Sequence, residues 1–296
     1  MKSLPQQQVY FMFDTLISTD DLHAHLSDPN WLIFDCRFTL SNKQAGREAY
    51  EKGHITGAQY VDLEQEMSGE ITAHSGRHPL PPIAEVAAKF GQWGIDGNKQ
   101  VVVYDDIFGA IAGRLWWLLK WLGHDRVALL DGGYPKWLRE DKPVDTEEPA
   151  SSSTVFTPQP RNHMLVDTET VAACHTDAAY LIIDARAEER FDGDVEPLDK
   201  VAGHIPNSVN HPFDENLELG GTFLTPEELR PMYQNLLGDR SPDHIILSCG
   251  SGVTACHNMI AMEHAGFKGA KLYVGSWSAW ITDPARPIAS NRTTTG

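Results

Sequence analysis

The run LIFDCR at residues 32–37 returns as LIIDAR at residues 181–186. Other landmarks repeat in the same order. GHI occurs at 53–55 and 203–205, each time about twenty residues after the apolar run. VVVYDD at 101–106 corresponds to IILSCG at 245–250, and LLDGGYPKW at 129–137 to LYVGSWSAW at 272–280. The offset stays near 150 residues throughout. Matched landmarks at one offset predict a duplicated domain. Within each half the apolar runs are short, mostly β-branched or aromatic, and do not alternate with polar residues. Such runs suit strands buried on both faces, hence a parallel sheet. Helical patterns separate them. In AIAGRLWWLLKWL, residues 110–122, Leu115, Leu118, Leu119 and Leu122 share one face. The expected class is therefore α/β, each half a mainly parallel sheet with helices on both faces.

The 296 residues suffice for two domains. The segment DKPVDTEEPASSSTVFTPQP, 141–160, has the Pro, Ser, Thr and acid content of a linker. We place an N-terminal domain at 1–145, the linker at 146–160 and a C-terminal domain at 161–296. The final ASNRTTTG, 289–296, is expected to fray. A formal charge of −17 repels nucleic acid and anionic membranes, so neither is expected as a partner. A small anionic substrate would need a local basic patch. MKSLPQQQVYFMFDTL lacks the apolar region of a secretory signal, and no run approaches a transmembrane span. The four cysteines, Cys36, Cys174, Cys249 and Cys256, show neither C-x-x-C nor zinc-site spacing. They suit a reducing, cytoplasmic setting.

Function in such sheets gathers beyond the carboxyl ends of the strands. Cys249 lies at one, followed by the uncharged loop GSGVT and a helical segment from about Ala255 to Ala265. A glycine-rich turn curling around its first side chain directs successive N–H groups inward, and the following helix adds its dipole. That setting favours a thiolate and stabilises an anion built on it, such as a persulfide. The equivalent position in the first half is Asp105, followed by a different loop. The bland alternative is a buried core cysteine. A C-x5-R phosphatase loop is excluded because Ala255, not arginine, stands six residues after Cys249.

The CGSGVTA loop, the tandem L-I-x-D-x-R and GHI landmarks, and the DGG-x-x-x-W and GSW-x-x-W segments resemble the two-domain rhodanese sulfurtransferases. The loop is closest to the 3-mercaptopyruvate branch. The resemblance covers nearly the whole chain. It implies two rhodanese-like domains, the second catalytic and the first degenerate, with no metal or organic cofactor. It implies that Cys249 takes sulfane sulfur from 3-mercaptopyruvate, releases pyruvate, and passes the sulfur to cyanide or to a thiol such as thioredoxin. The amides of Gly250, Ser251, Gly252, Val253 and Thr254 would hold the persulfide.

Other roles follow from the same resemblance. Arg190 would bind the donor carboxylate, the alternative being an ion pair with Glu188 or Glu189. A second arginine is expected about nine residues later. Here Asp199 stands near that place, with Lys200 beside it as a substitute point charge. Arg186 could line the substrate site, but its twin Arg37 in the other half favours a structural pairing with a buried acid. His54 and His204 read the same way. His78 of RHPLP, 77–81, would reach across the domain cleft. With Ser251, and Glu64 or Asp62, it would form a hydroxyl–imidazole–carboxylate relay. Cys256 is expected to pack beneath the loop. Three functional readings stay open: a 3-mercaptopyruvate sulfurtransferase, a thiosulfate sulfurtransferase using the same cysteine, and a non-catalytic persulfide carrier or binding module.

Overall fold

The repeated motifs bind one another. In the computed structural model, which describes residues 12–150 and 152–292, Asp35 ends a strand, Trp31–Asp35, and its carboxylate accepts from the backbone N, Nε and Nη2 of Arg37. Arg37 Nη2 also donates to the carbonyl of Gly53, at 2.8 Å. The second half repeats this: Asp184 takes the same three donors of Arg186, whose Nη2 reaches the Gly203 carbonyl at 2.8 Å. The adjacent His54 and His204 each stack on an aromatic ring, Tyr50 or Phe191, at 3.8 Å. L-I-x-D-x-R and GHI are thus two ends of one buried clamp, and these arginines and histidines are architectural.

Both halves build the same five-stranded, all-parallel sheet. The first runs Leu16–Ile17, Val127–Leu130, Gln100–Tyr104, Trp31–Asp35, Ala58–Tyr60. The second runs Leu165–Val166, Lys271–Tyr273, Ile245–Ser248, Leu181–Asp184, Val209–Asn210. Alternate strand residues enter opposite cores. Val101 and Val103 face one apolar cluster, Val102 and Tyr104 another that holds Leu22 and Trp137 from two helices. Helices therefore cover both faces, as expected. Among the described residues, no helix is long and apolar enough to cross a membrane.

The helix Ala112–Trp121 departs from the one-faced pattern expected for it. All ten of its residues are buried. One side packs on its own sheet and the other on the helix Ala255–His264 of the second half. Helices apolar on every side belong in interiors, and this one occupies the seam between the halves. Trp116, Trp117 and Leu119 join Leu247, Met259 and Ile260 in a single core cluster spanning both sheets.

Two terminal expectations need correction. Much of the linker-like stretch is strapped to the first half: Thr154 N donates to Gly91 O, Gln159 N to Leu122 O, and Phe156 packs edge-on against Phe90. Its Pro and Ser content reflects an extended path, not a free tether. Residues 289–292 are also held. Ala289 bridges His204, and Ser290 and Asn291 bond Asp192. The remainder of that tail, and the first eleven residues, lie outside the described residues.

Asp105 and Cys249 are structural equivalents. Each follows a central strand, and each carbonyl accepts from a later helix, Tyr134 N at 2.9 Å and Trp277 N at 3.0 Å. The first half was expected to lack an amide cradle, yet it has one. The Asp105 carboxylate accepts from the amides of Ile107, Gly109, Ile111 and Ala112 at 2.7–2.9 Å. Burial pushes this carboxyl up while the four amides pull it back. Asp105→Ala, which strands those donors, is expected to cost about 2–4 kcal/mol of stability. Urea unfolding monitored by tryptophan fluorescence measures the loss, and Asp105→Asn should retain part of it.

Candidate active site

Cys249 sits between the strand Ile245–Ser248 and the helix Ala255–His264. Its backbone is pinned from the GSW segment: Cys249 N donates to Ser276 Oγ at 3.1 Å, and Ser278 N donates to Gly250 O at 2.9 Å. Gly252 is left-handed, φ 73°, and a Cβ there would lie 2.3 Å from the Val274 carbonyl, so only glycine makes the turn. Among the described residues, the amides of Gly250, Ser251, Gly252, Val253 and Thr254 find no protein acceptor. Five successive unspent N–H groups follow the position whose twin in the first half is a carboxylate. Unspent amides in a glycine-containing turn leave the loop donors open to an anionic acceptor.

Cys249 is 2% exposed and opens on a cavity of about 240 Å³. Arg77, His78, Arg186 and Arg190 share its wall with Leu63, Ile111 and Phe213. The cavity therefore lies between the halves, with residues from both.

His78 and Ser251 meet as anticipated: Nδ1 lies 2.7 Å from Oγ. Burial, then the charges of Arg114, Arg77 and Lys43, push the imidazole down to about 3, so it is neutral at pH 7. The expected carboxylate is missing from this relay. Glu64 lies 2.5 Å from Lys43 Nζ, and Asp62 caps its own turn by accepting from Glu64 N and Gln65 N. Glu64 is instead engaged by Lys43. The observed unit is a dyad.

The two arginines are held differently. Arg190 pairs with Glu196 at 2.8 Å and Asp199 at 3.4 Å rather than with Glu188 or Glu189. Its Nη1 carries no protein partner, and its Nε is buried and unsatisfied. Arg186 lines the cavity but makes the structural pairing expected from its twin Arg37: Nε, Nη1 and Nη2 are engaged by Asp184, Glu196 and Gly203 O. Lys200 is corrected as a substrate ligand. It is exposed and absent from the cavity wall, because Asp199 takes the inward side of the turn at 4% side-chain exposure. Cys256 packs under the loop, but in the first turn of its helix, with Sγ 3.5 Å from Gly252 O. Burial pushes its thiol up to about 12, which leaves it inert.

Two participants escaped the sequence reading. Arg77 enters from the first half and pairs with Asp199. Arg114, on the seam helix and wholly buried, donates to Gly252 O at 3.0 Å and His78 O at 3.1 Å, so one guanidinium ties the cradle to the dyad. Burial pushes Arg114 below the usual arginine range, while the nearby Cys256 and Cys249 sulfurs push it back. The signal for Arg77 was its place beside His78. An arginine in an otherwise apolar, tryptophan-rich helix marked Arg114.

The Rhodanese-like domain signature matches residues 18–140 and 167–283. The chain belongs to the rhodanese family. A "Probable 3-mercaptopyruvate sulfurtransferase" of Pseudomonas aeruginosa is 45% identical over 277 residues, 93% of this chain and 98% of the relative. A "Putative thiosulfate sulfurtransferase SseB" of Mycobacterium tuberculosis is 39% identical, covering 86% of this chain and 89% of that protein. Among solved structures, the 3-mercaptopyruvate sulfurtransferase SseA of Escherichia coli superposes with a TM-score of 0.75 at 31% identity, over 89% of this chain and 98% of that one.

The buried neutral histidines give the rhodanese chain an acid sensitivity. His78 and His257 are both pushed down to about 3, chiefly by burial. Unfolded, each binds a proton near pH 6.5, so the unfolded state holds more protons between those values. Stability is full above about pH 6.5 and falls on acidification by roughly 1.4 kcal/mol per pH unit per histidine. Urea unfolding at pH 7 and pH 5 reads this slope. His257→Gln should flatten it by about one proton, and an unflattened slope would mean His257 is charged in the folded protein.

Proposed function

We propose that the chain is a 3-mercaptopyruvate sulfurtransferase working through a Cys249 persulfide. The observation that carries the reading is the set of five unspent amides around Cys249, beside a cavity with two partly free guanidinium groups. Its relatives are named as sulfurtransferases for this donor and for thiosulfate. In this reading residues 161–296 are the catalytic domain, residues 1–145 supply the opposite wall, and 146–160 connect them.

The Cys249 thiolate attacks the donor sulfur, the donor C–S bond breaks, and its electron pair leaves as the pyruvate enolate. A proton delivered to the enolate carbon gives pyruvate. Ser251, held by neutral His78, is placed to pass that proton. Cys249 then carries one extra sulfur, stabilised as an anion by the amides of Gly250 to Thr254. An incoming thiolate or cyanide takes the outer sulfur and restores the Cys249 thiolate. Arg190 orients the donor carboxylate. The acceptor is a small thiol, a protein thiol such as thioredoxin, or cyanide. Four free cysteines suit a reducing cytoplasm.

Asp199, a carboxylate where a second arginine was expected, favours a second reading with thiosulfate as donor. That anion would load the same cysteine with release of sulfite. Comparing kcat/KM for the two donors separates them. Mixing the protein with 3-mercaptopyruvate should release pyruvate and add one sulfur to the peptide bearing Cys249. Cys249→Ser should abolish both. Ser251→Ala should slow turnover by about a hundredfold. If neither donor is turned over by the wild type while Cys249→Ser still binds a protein partner, the protein is a non-catalytic persulfide carrier or binding module instead.

A further inference from the structure

We propose that Arg77, delivered by the first domain, is a second anion-binding guanidinium of the donor site and sets donor specificity together with Arg190. The inference rests on the donor reading above.

Three observations converge on it. The first is position. A Cβ built on Gly250, next to Cys249, would lie 2.8 Å from Arg77 Nη2 and 3.6–3.7 Å from the two terminal nitrogens of Arg190. Two guanidinium groups from different domains therefore stand over the same peptide. The second is unused capacity. Arg77 Nε is buried without a partner, as is Arg190 Nε. Of the terminal nitrogens, Arg77 Nη1 and Arg190 Nη2 are held by carboxylates, while Arg77 Nη2 and Arg190 Nη1 have no protein acceptor among the described residues. Buried donors left open beside a nucleophile call for an acceptor from a ligand. A carboxylate or a sulfonate-like group supplies several oxygens at once.

The third is placement. Asp199 lies between the two arginines, pairing with Nη1 of Arg77 and Nη2 of Arg190. Glu196 fixes that turn by accepting from the amides of Leu198 and Asp199. Arg77 is also anchored through its backbone: its N–H donates to Ser278 Oγ at 3.1 Å. Gly76 allows this crossing, since a Cβ there would lie 2.5 Å from the Gly275 carbonyl. A side chain meant only to clamp the domains would have no reason to leave its Nε and Nη2 unpaired in a residue that lines the cavity. Because Asp199 and Glu196 already balance the two charges, recognition rests on directed N–H groups more than on net charge. That favours a planar fork over a lysine.

Steady-state kinetics on the full chain test this, varying 3-mercaptopyruvate and the thiol acceptor separately, with pyruvate as product inhibitor. Arg77→Met is expected to raise the donor KM and the pyruvate inhibition constant together by about tenfold or more, leaving the acceptor KM unchanged. Arg77→Lys keeps the ion pair with Asp199, guards against a folding defect, and should recover only part of the loss. A donor KM within twofold of wild type in both variants, or equal effects on donor and acceptor KM, overturns the proposal. Failure of the wild-type chain to release pyruvate would overturn the donor reading, a separate outcome.

Discussion

Backbone N–H groups gathered at the end of a buried strand must meet an acceptor, and this requirement governs both halves of the molecule. In the first half the acceptor is built in: the Asp105 carboxylate takes four amides. In the second half the same place holds a sulfur, and five amides stay unspent. An unmet buried donor costs about 1–3 kcal/mol. The second cradle is therefore less satisfied until a negative charge forms within it. The persulfide proposed for Cys249 would supply that charge without any formal cation in a loop made only of glycine, serine, valine and threonine.

The surroundings of the cradle come from the other domain. His78, Arg77 and Arg114 all belong to the first half, yet they touch Ser251, Asp199 and Gly252. The first half is thus a wall of the cavity beside Cys249. Its seam helix is apolar on all sides except for Arg114 and Lys120, both buried. The Arg114 position has a use: one rigid fork holds the cradle and the His78 backbone at a fixed separation.

Much of this was legible because periodic patterns and repeats report backbone requirements. LIFDCR and LIIDAR, with their GHI partners, are kept in both halves because each pair forms one clamp through Asp35 and Arg37 or Asp184 and Arg186. Cys249 at a strand end followed from the same frame, and the meeting of His78 with Ser251 from the family resemblance. What escaped was set by where individual side chains reach. Glu64 turned to Lys43, Lys200 turned to solvent, and Asp199 turned inward to Arg77. No local pattern encodes which of two neighbours faces a partner that lies more than a hundred residues away in the chain. The cradle in the first half was hidden because carboxylate and thiol look unrelated as letters, although both are acceptors for the same amides.

The single apolar cluster that joins both sheets has a bearing on how the molecule can come apart. Separating the halves would lay Trp117, Leu119, Met259 and Ile260 open to water, a cost that couples the two halves. Denaturation should then pass from intact to unravelled in one cooperative step, and losing either sheet would extinguish the chemistry of the other. Duplication gave this chain two copies of a domain, and the seam has made them one thermodynamic unit.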